Sequence, residues 1–221
     1  MRNQFDKMLN TLNGELIQMG HMVEQAIEVA IEALVHGDVE KAKKNMAFDE
    51  EIDEQEKTIE TLCMKLLMKQ QPVARDLRLI SAAMKMITDM ERIGDHAADI
   101  SEMSITLAQE KEIPMMDQIK LMSKETMEMV VKSIEAFVSK DIDMAKAVIA
   151  RDDVVDELYV EVKSSIIDMI RDNHANAEAI ADLIIVAKYF ERIGDHATNI
   201  AEWVIFSING DHPTIDMSRS Y

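Results

Sequence analysis

The sequence predicts an all-α chain, built as two tandem three-helix bundles related by an internal repeat. Three observations predict it. Apolar residues recur at spacings of three and four between boundary marks, and strand-like alternation is absent. Only 6 Gly and 3 Pro occur in 221 residues, and most stand where a helix should stop. A seven-residue segment returns unchanged 100 positions later.

The elements follow in order. A first helix is expected over about 4–36, closed by Val35-His36-Gly37-Asp38, where Gly37 ends it and Asp38 caps the next. The second runs over about 38–70, with Asn45, Ile52, Ile59 and Leu66 seven apart on one face, before Gln70-Gln71-Pro72. The third, about 74–110, steps through Leu77, Ile80, Met84 and Ile87 and ends in a charged run before Pro114. The fourth to sixth are expected over about 115–139, 141–172 and 175–209, and Pro213 opens a polar tail. Ala, Met, Leu, Glu and Lys, all good helix formers, dominate throughout. Helices of about 30 residues are roughly 45 Å long, and short loops between them make antiparallel neighbours.

The repeat divides the chain. Glu91-Arg92-Ile93-Gly94-Asp95-His96-Ala97 reappears as Glu191-Arg192-Ile193-Gly194-Asp195-His196-Ala197, and Ile100 and Glu102 reappear as Ile200 and Glu202. The second helix repeats at an offset of 103: Asp38, Ala42, Asp49, Asp53 and Glu54 return as Asp141, Ala145, Asp152, Asp156 and Glu157. The expected units are a first bundle over 1–113, a second over 114–210 and a tail over 211–221.

Composition excludes several functions. With 24 Lys and Arg against 42 Asp and Glu the formal charge is −18, a poor match for nucleic acid, whose phosphates need a basic face. Anionic lipid is an equally poor partner. No run of 18 apolar residues can span a bilayer, and the first residues do not read as a signal peptide. A single cysteine, Cys63, excludes a disulfide framework and suits a reducing cytosol.

The repeated acids carry the chemistry. Residues four apart on a helix share a face, so Glu91 and Asp95 stack one turn apart, and Asp99 and Glu102 continue the stripe. The second copy reads Glu191, Asp195, Asn199 and Glu202. Asp49 and Asp53 pair in the same way on the second helix, as do Asp152 and Asp156 on the fifth. If neighbouring helices bring these stripes together, the clustered carboxylates repel, and cationic partners, shared protons or a metal must compensate. Oxygen-rich clusters suit hard divalent cations, and iron, manganese or zinc where His or bridging carboxylates join in. Arg92 and Arg192 sit about 100° round the helix from the stripe, and neither obviously neutralises it. His96 and His196, one residue past the Asp, read as ligands, supporting partners or packing residues. Gly94 and Gly194 each cost about 1 kcal/mol relative to Ala, which points to a close approach by another helix or a ligand. Acidic stripes are usually solvated faces, so the repeat serves as a filter. Glu56 and Glu60 fail it, since their counterparts are Tyr159 and Lys163, and they read as surface. The 19 methionines are spread over every helix and read as adaptable packing.

These residues resemble the PhoU family of phosphate-uptake regulators. The doubled Glu-x-x-x-Asp signature, Glu91 to Asp95 and Glu191 to Asp195, carries the resemblance, with Pro72-Val73-Ala74-Arg75-Asp76-Leu77-Arg78 as a further match. It covers about residues 4–209. The resemblance implies two bundles side by side with pseudo-two-fold symmetry and, in some members, iron or zinc clusters on the acidic motifs. It implies a regulator rather than an enzyme, associated with the phosphate ABC transporter (through its ATPase subunit) and a sensor histidine kinase, and repressing the phosphate-starvation response when phosphate is plentiful. It further implies a homodimer in the cytoplasm, at the inner membrane only through protein partners. Asp99 becoming Asn199 implies fewer or weaker metal contacts in the second copy. Two alternatives stand beside this expectation. One is a protein-binding scaffold without functional metal. The other is a di-metal carboxylate oxidase, disfavoured because no His has an acid three positions before it.

Overall fold

The computed structural model describes residues 2–69, 72–110, 117–172 and 177–213. Six helices follow one another: α1 Arg2–His36, α2 Val39–Lys69, α3 Ala74–Leu107, α4 Asp117–Ser139, α5 Ile142–Asp172 and α6 Ala177–Asn209. No strand occurs among the described residues. The expected boundary at 113/114 lies outside the described residues, as does the tail from 214 onward.

Helices α1, α2 and α3 pack mutually, α6 packs on both α4 and α5, and α4 packs on α5. Two contacts join the units, α3 against α6 and the slighter α1 against α4. The α3–α6 seam is the most extensive of all the helix pairs, so the two bundles share one core. That core takes Leu12, Leu16, Met19 and Ile27 from α1, Ile52, Ile59 and Leu66 from α2, and Ile80, Met86 and Met90 from α3. The second unit adds Met122, Val162, Ile166, Leu183 and Phe190.

The seven-residue line of α2 is buried throughout. Its polar member Asn45 is satisfied by donating from Nδ2 to the Ala26 carbonyl and the Ser101 hydroxyl, each at 2.9 Å. Cys63 packs beside this line as a buried free thiol. The expected line of α3 needs one correction: Leu77 is exposed, because the buried stripe starts at Ile80 and runs through Ala83, Met86 and Met90.

The turn into the second helix of each unit uses the same device. Gly37 has φ +62°, and Asp38 Oδ1 accepts from the Lys41 N–H at 3.0 Å. In the second unit Lys140 takes the left-handed position with φ +56°, and Asp141 Oδ1 accepts from the Met144 N–H at 2.9 Å. A lysine there bears a strain that glycine avoids, roughly 1–2 kcal/mol.

Candidate functional site

Eight of the predicted acids sit where α3 crosses α2 and where α6 crosses α5. Both crossings are opened by a glycine. A Cβ on Gly94 would stand 3.0 Å from Ile52 Cδ1 and 3.1 Å from Asp49 Oδ1. A Cβ on Gly194 would stand 3.3 Å from Asp152 Oδ1. The close approach expected of these glycines is therefore made by the neighbouring helix, and in each case it brings an Asp carboxylate against the backbone of the repeated motif.

Around these points lie two carboxylate seams. The first contains Asp49 and Asp53 from α2 with Glu91 and Asp95 from α3. The second contains Asp152 and Asp156 from α5 with Glu191 and Asp195 from α6. Burial first, then the charges of Asp95, Asp53 and Asp99, push Asp49 up to about 6. Burial first, then Asp195 and Asp156, push Asp152 up to about 6 as well. Glu91 is raised by burial and then by Asp95, and Asp195 by burial and then by Glu191. Asp49 Oδ1, Glu91 Oε2 and Glu191 Oε2 are buried with no hydrogen-bond donor. Such oxygens are costly unless something positive meets them.

Protein cations already lean on the edges. Arg92 places Nη1 2.8 Å from Asp95 Oδ2 and Nε 3.3 Å from Glu91 Oε2, the latter close enough to attract but accepting no hydrogen bond. Lys188 pairs with Glu191 in the second seam. The expectation that Arg92 stands apart from the stripe is thus corrected: its long side chain reaches back to residues one before and three after it. Among the described residues no three or more His, Cys, Asp or Glu side chains are drawn together as a finished metal-holding set.

Five of the predicted residues belong elsewhere. Asn199 donates to Asp89 Oδ1 at 3.1 Å across the α3–α6 seam, and so faces the other bundle rather than α5. His196 Nδ1 meets the same oxygen at 2.8 Å. On the pseudo-symmetric side His96 packs on Tyr189, 5.5 Å between ring centroids, with Asp99 Oδ2 3.5 Å from its Nδ1. The two imidazoles meet each other at 5.6 Å. Burial lowers the His96 pKa. Both histidines therefore join the bundles, with Asp99 at the border between this junction and the first seam. Glu102 is exposed beyond it, and Glu202 reaches toward His212, 4.0 Å away, which lies against Trp203.

One participant escapes the repeat filter. Glu56 is half-buried and accepts from the Thr88 hydroxyl at 3.3 Å, which holds it against α3 beside Glu91 and Asp53. Burial raises its pKa. Only its position, seven after Asp49 on the same face, could have found it.

The fold and the site define a class: a tandem pair of three-helix bundles with a glycine-opened carboxylate seam in each unit. The PhoU domain matches residues 16–104 and 119–204. The chain is 36% identical over 210 residues to a Clostridium acetobutylicum protein named phosphate-specific transport system accessory protein PhoU homolog, covering 95% of this chain and 96% of the relative. The crystal structure of PhoU from Pseudomonas aeruginosa superposes with a TM-score of 0.90 at 32% identity, covering 94% of this chain and all of that one. That of the phosphate transport system regulatory protein PhoU from Streptococcus pneumoniae gives 0.89 at 25% identity over 96% of this chain. This chain belongs to the PhoU family.

Proposed function

We propose that the protein is a non-enzymatic regulatory accessory of a phosphate-specific transport system, holding divalent metal on its carboxylate seams. One observation carries the metal reading: both units bury carboxylate oxygens that no donor meets, at crossings that a glycine keeps open. Asp49, Asp53, Glu91 and Asp95 would hold the ion in the first unit, and Asp152, Asp156, Glu191 and Asp195 in the second. An all-oxygen donor set suits hard divalent cations, and iron or zinc in bridged clusters. Bound metal would supply the positive charge that Arg92 and Lys188 supply only from the edge.

The regulatory reading rests on the family and on the names its relatives carry. The helical surface docks on the ATPase subunit of the phosphate ABC transporter and on a sensor histidine kinase, and represses the phosphate-starvation response. The protein acts in the cytoplasm as a homodimer. No helix among the described residues is long and apolar enough to cross a membrane, which fits contact with a transporter through protein alone.

Metal counting on untagged protein, beside an Asp95→Asn/Asp195→Asn variant, tests the first part. Stoichiometric iron or zinc in the parent and loss in the variant is the expected result. Absence of metal from both, with equal folding, overturns it. The second reading, a scaffold without functional metal, is favoured by the ion pairs of Arg92 and Lys188. It requires docking on the transporter ATPase to be unchanged by a chelator.

A further inference from the structure

The two seams are related by the repeat, yet two paired positions break the relation. In the first seam, α2 presents Glu56 and α3 presents the neutral donor Thr88. Their repeat counterparts are Tyr159 on α5 and Lys188 on α6, and the Lys188 ammonium lies 5.4 Å from the centre of the Tyr159 ring while pairing with Glu191. A carboxylate beside a hydroxyl has thus been exchanged for a phenol beside a cation. The arginines of the repeat do not restore the balance. Arg92 turns to its own seam, whereas the charge of Arg192 is felt by His96 across the bundle junction and by Tyr189 on its own helix. Among the described residues each seam therefore pairs with one protein cation, but the first combines Asp49, Asp53, Glu56, Glu91 and Asp95, and the second only Asp152, Asp156, Glu191 and Asp195. More negative charge attracts a dication more strongly.

We propose that the seams are ranked, the first taking a divalent cation before the second, and that Glu56/Thr88 against Tyr159/Lys188 sets the order. This rests on the cation-binding reading above. In the second seam the tethered ammonium of Lys188 competes with the incoming ion for Glu191. In the first, Glu56 adds a carboxylate that the repeat does not announce.

The test is a Mn²⁺ titration of the full chain, reading free ion by electron paramagnetic resonance and heat by calorimetry. Wild type is expected to show two classes of site at least about tenfold apart in Kd. Asp49→Asn should remove the tight class and Asp152→Asn the weak one. Tyr159→Glu/Lys188→Thr should bring the weak class to within about threefold of the tight one. Circular dichroism checks folding, and Lys188→Met alone replaces the double variant if that one does not fold, with the weak class expected to tighten. Two equal classes, or a tight class abolished by Asp152→Asn, overturns the ranking and leaves the cation reading intact. No Mn²⁺ bound at either seam overturns both.

Discussion

Replacing each motif glycine by alanine should have opposite consequences, although the two sites share a seven-residue sequence. Within a helix the change from Gly to Ala gains about 1 kcal/mol in propensity. What opposes the gain is the space at each crossing. At Gly94 the new methyl meets Ile52 at 3.0 and 3.2 Å and Asp49 Oδ1 at 3.1 Å. Ordinary carbon contacts lie at about 3.5–4.0 Å. Ile52 is fully buried and branched at Cβ, so it has little room to retreat. Overpacking of this kind costs roughly 1–3 kcal/mol, which leaves Gly94→Ala destabilised by about 0–2 kcal/mol. At Gly194 the nearest atoms are Asp152 Oδ1 at 3.3 Å, Val155 Cγ1 at 3.5 Å and Thr126 Cγ2 at 3.7 Å. A few tenths of an ångström suffices, and Gly194→Ala should gain about 0.5 kcal/mol net. Urea unfolding of the two variants and the parent, in chelator, measures the difference. A Gly94→Ala protein as stable as Gly194→Ala would refute the packing argument.

Other perturbations follow from the same geometry. Because the folded pKa of Asp49 and Asp152 stands near 6 against an ordinary value of 3.8, the cation-free fold binds their protons more tightly than the unfolded chain. Their contribution is full below about pH 4 and is lost as pH rises through 6; after discounting for solvent it is about 1 kcal/mol each, and Asp49→Asn should flatten the urea midpoint between those values. Lys140→Gly should raise stability by about 1 kcal/mol in the same assay, since it relieves a positive φ. Glu125 is buried and held by Arg151 Nε at 2.6 Å, so Arg151→Met should cost about 2–3 kcal/mol by stranding the carboxylate between α4 and α5. Burial pushes the Cys63 thiol up to about 12, and a disulfide reagent at pH 8 should label it only on unfolding.

The six helices were legible because stops and periods agreed: Gly37 with Asp38 marked a turn that the structure makes with those residues. The pairing of Asp49 with the Glu91 motif was legible through the repeat. The division of the stripe was not. A four-residue step overshoots a helical turn by about 40°, so Asp99 and Asn199, two steps past Glu91 and Glu191, have rotated about 80° toward the other bundle. No single-helix argument shows which helix waits on that side. Glu56 was hidden for the opposite reason: the repeat keeps only what both units share, and this acid belongs to one.

The junction at His96 and His196 has a consequence for symmetry. A single three-helix unit that covered its α3 face with a second copy of itself would make every contact off the two-fold axis twice, with the same pair of residues each time. Joined in one chain, the halves are released from that constraint. Position 89 can be an aspartate that accepts from His196 and Asn199, while its counterpart 189 is a tyrosine that stacks on His96. The covalent link thus lets a two-fold surface carry two different dialects of the same contact, something that exchange between identical subunits forbids.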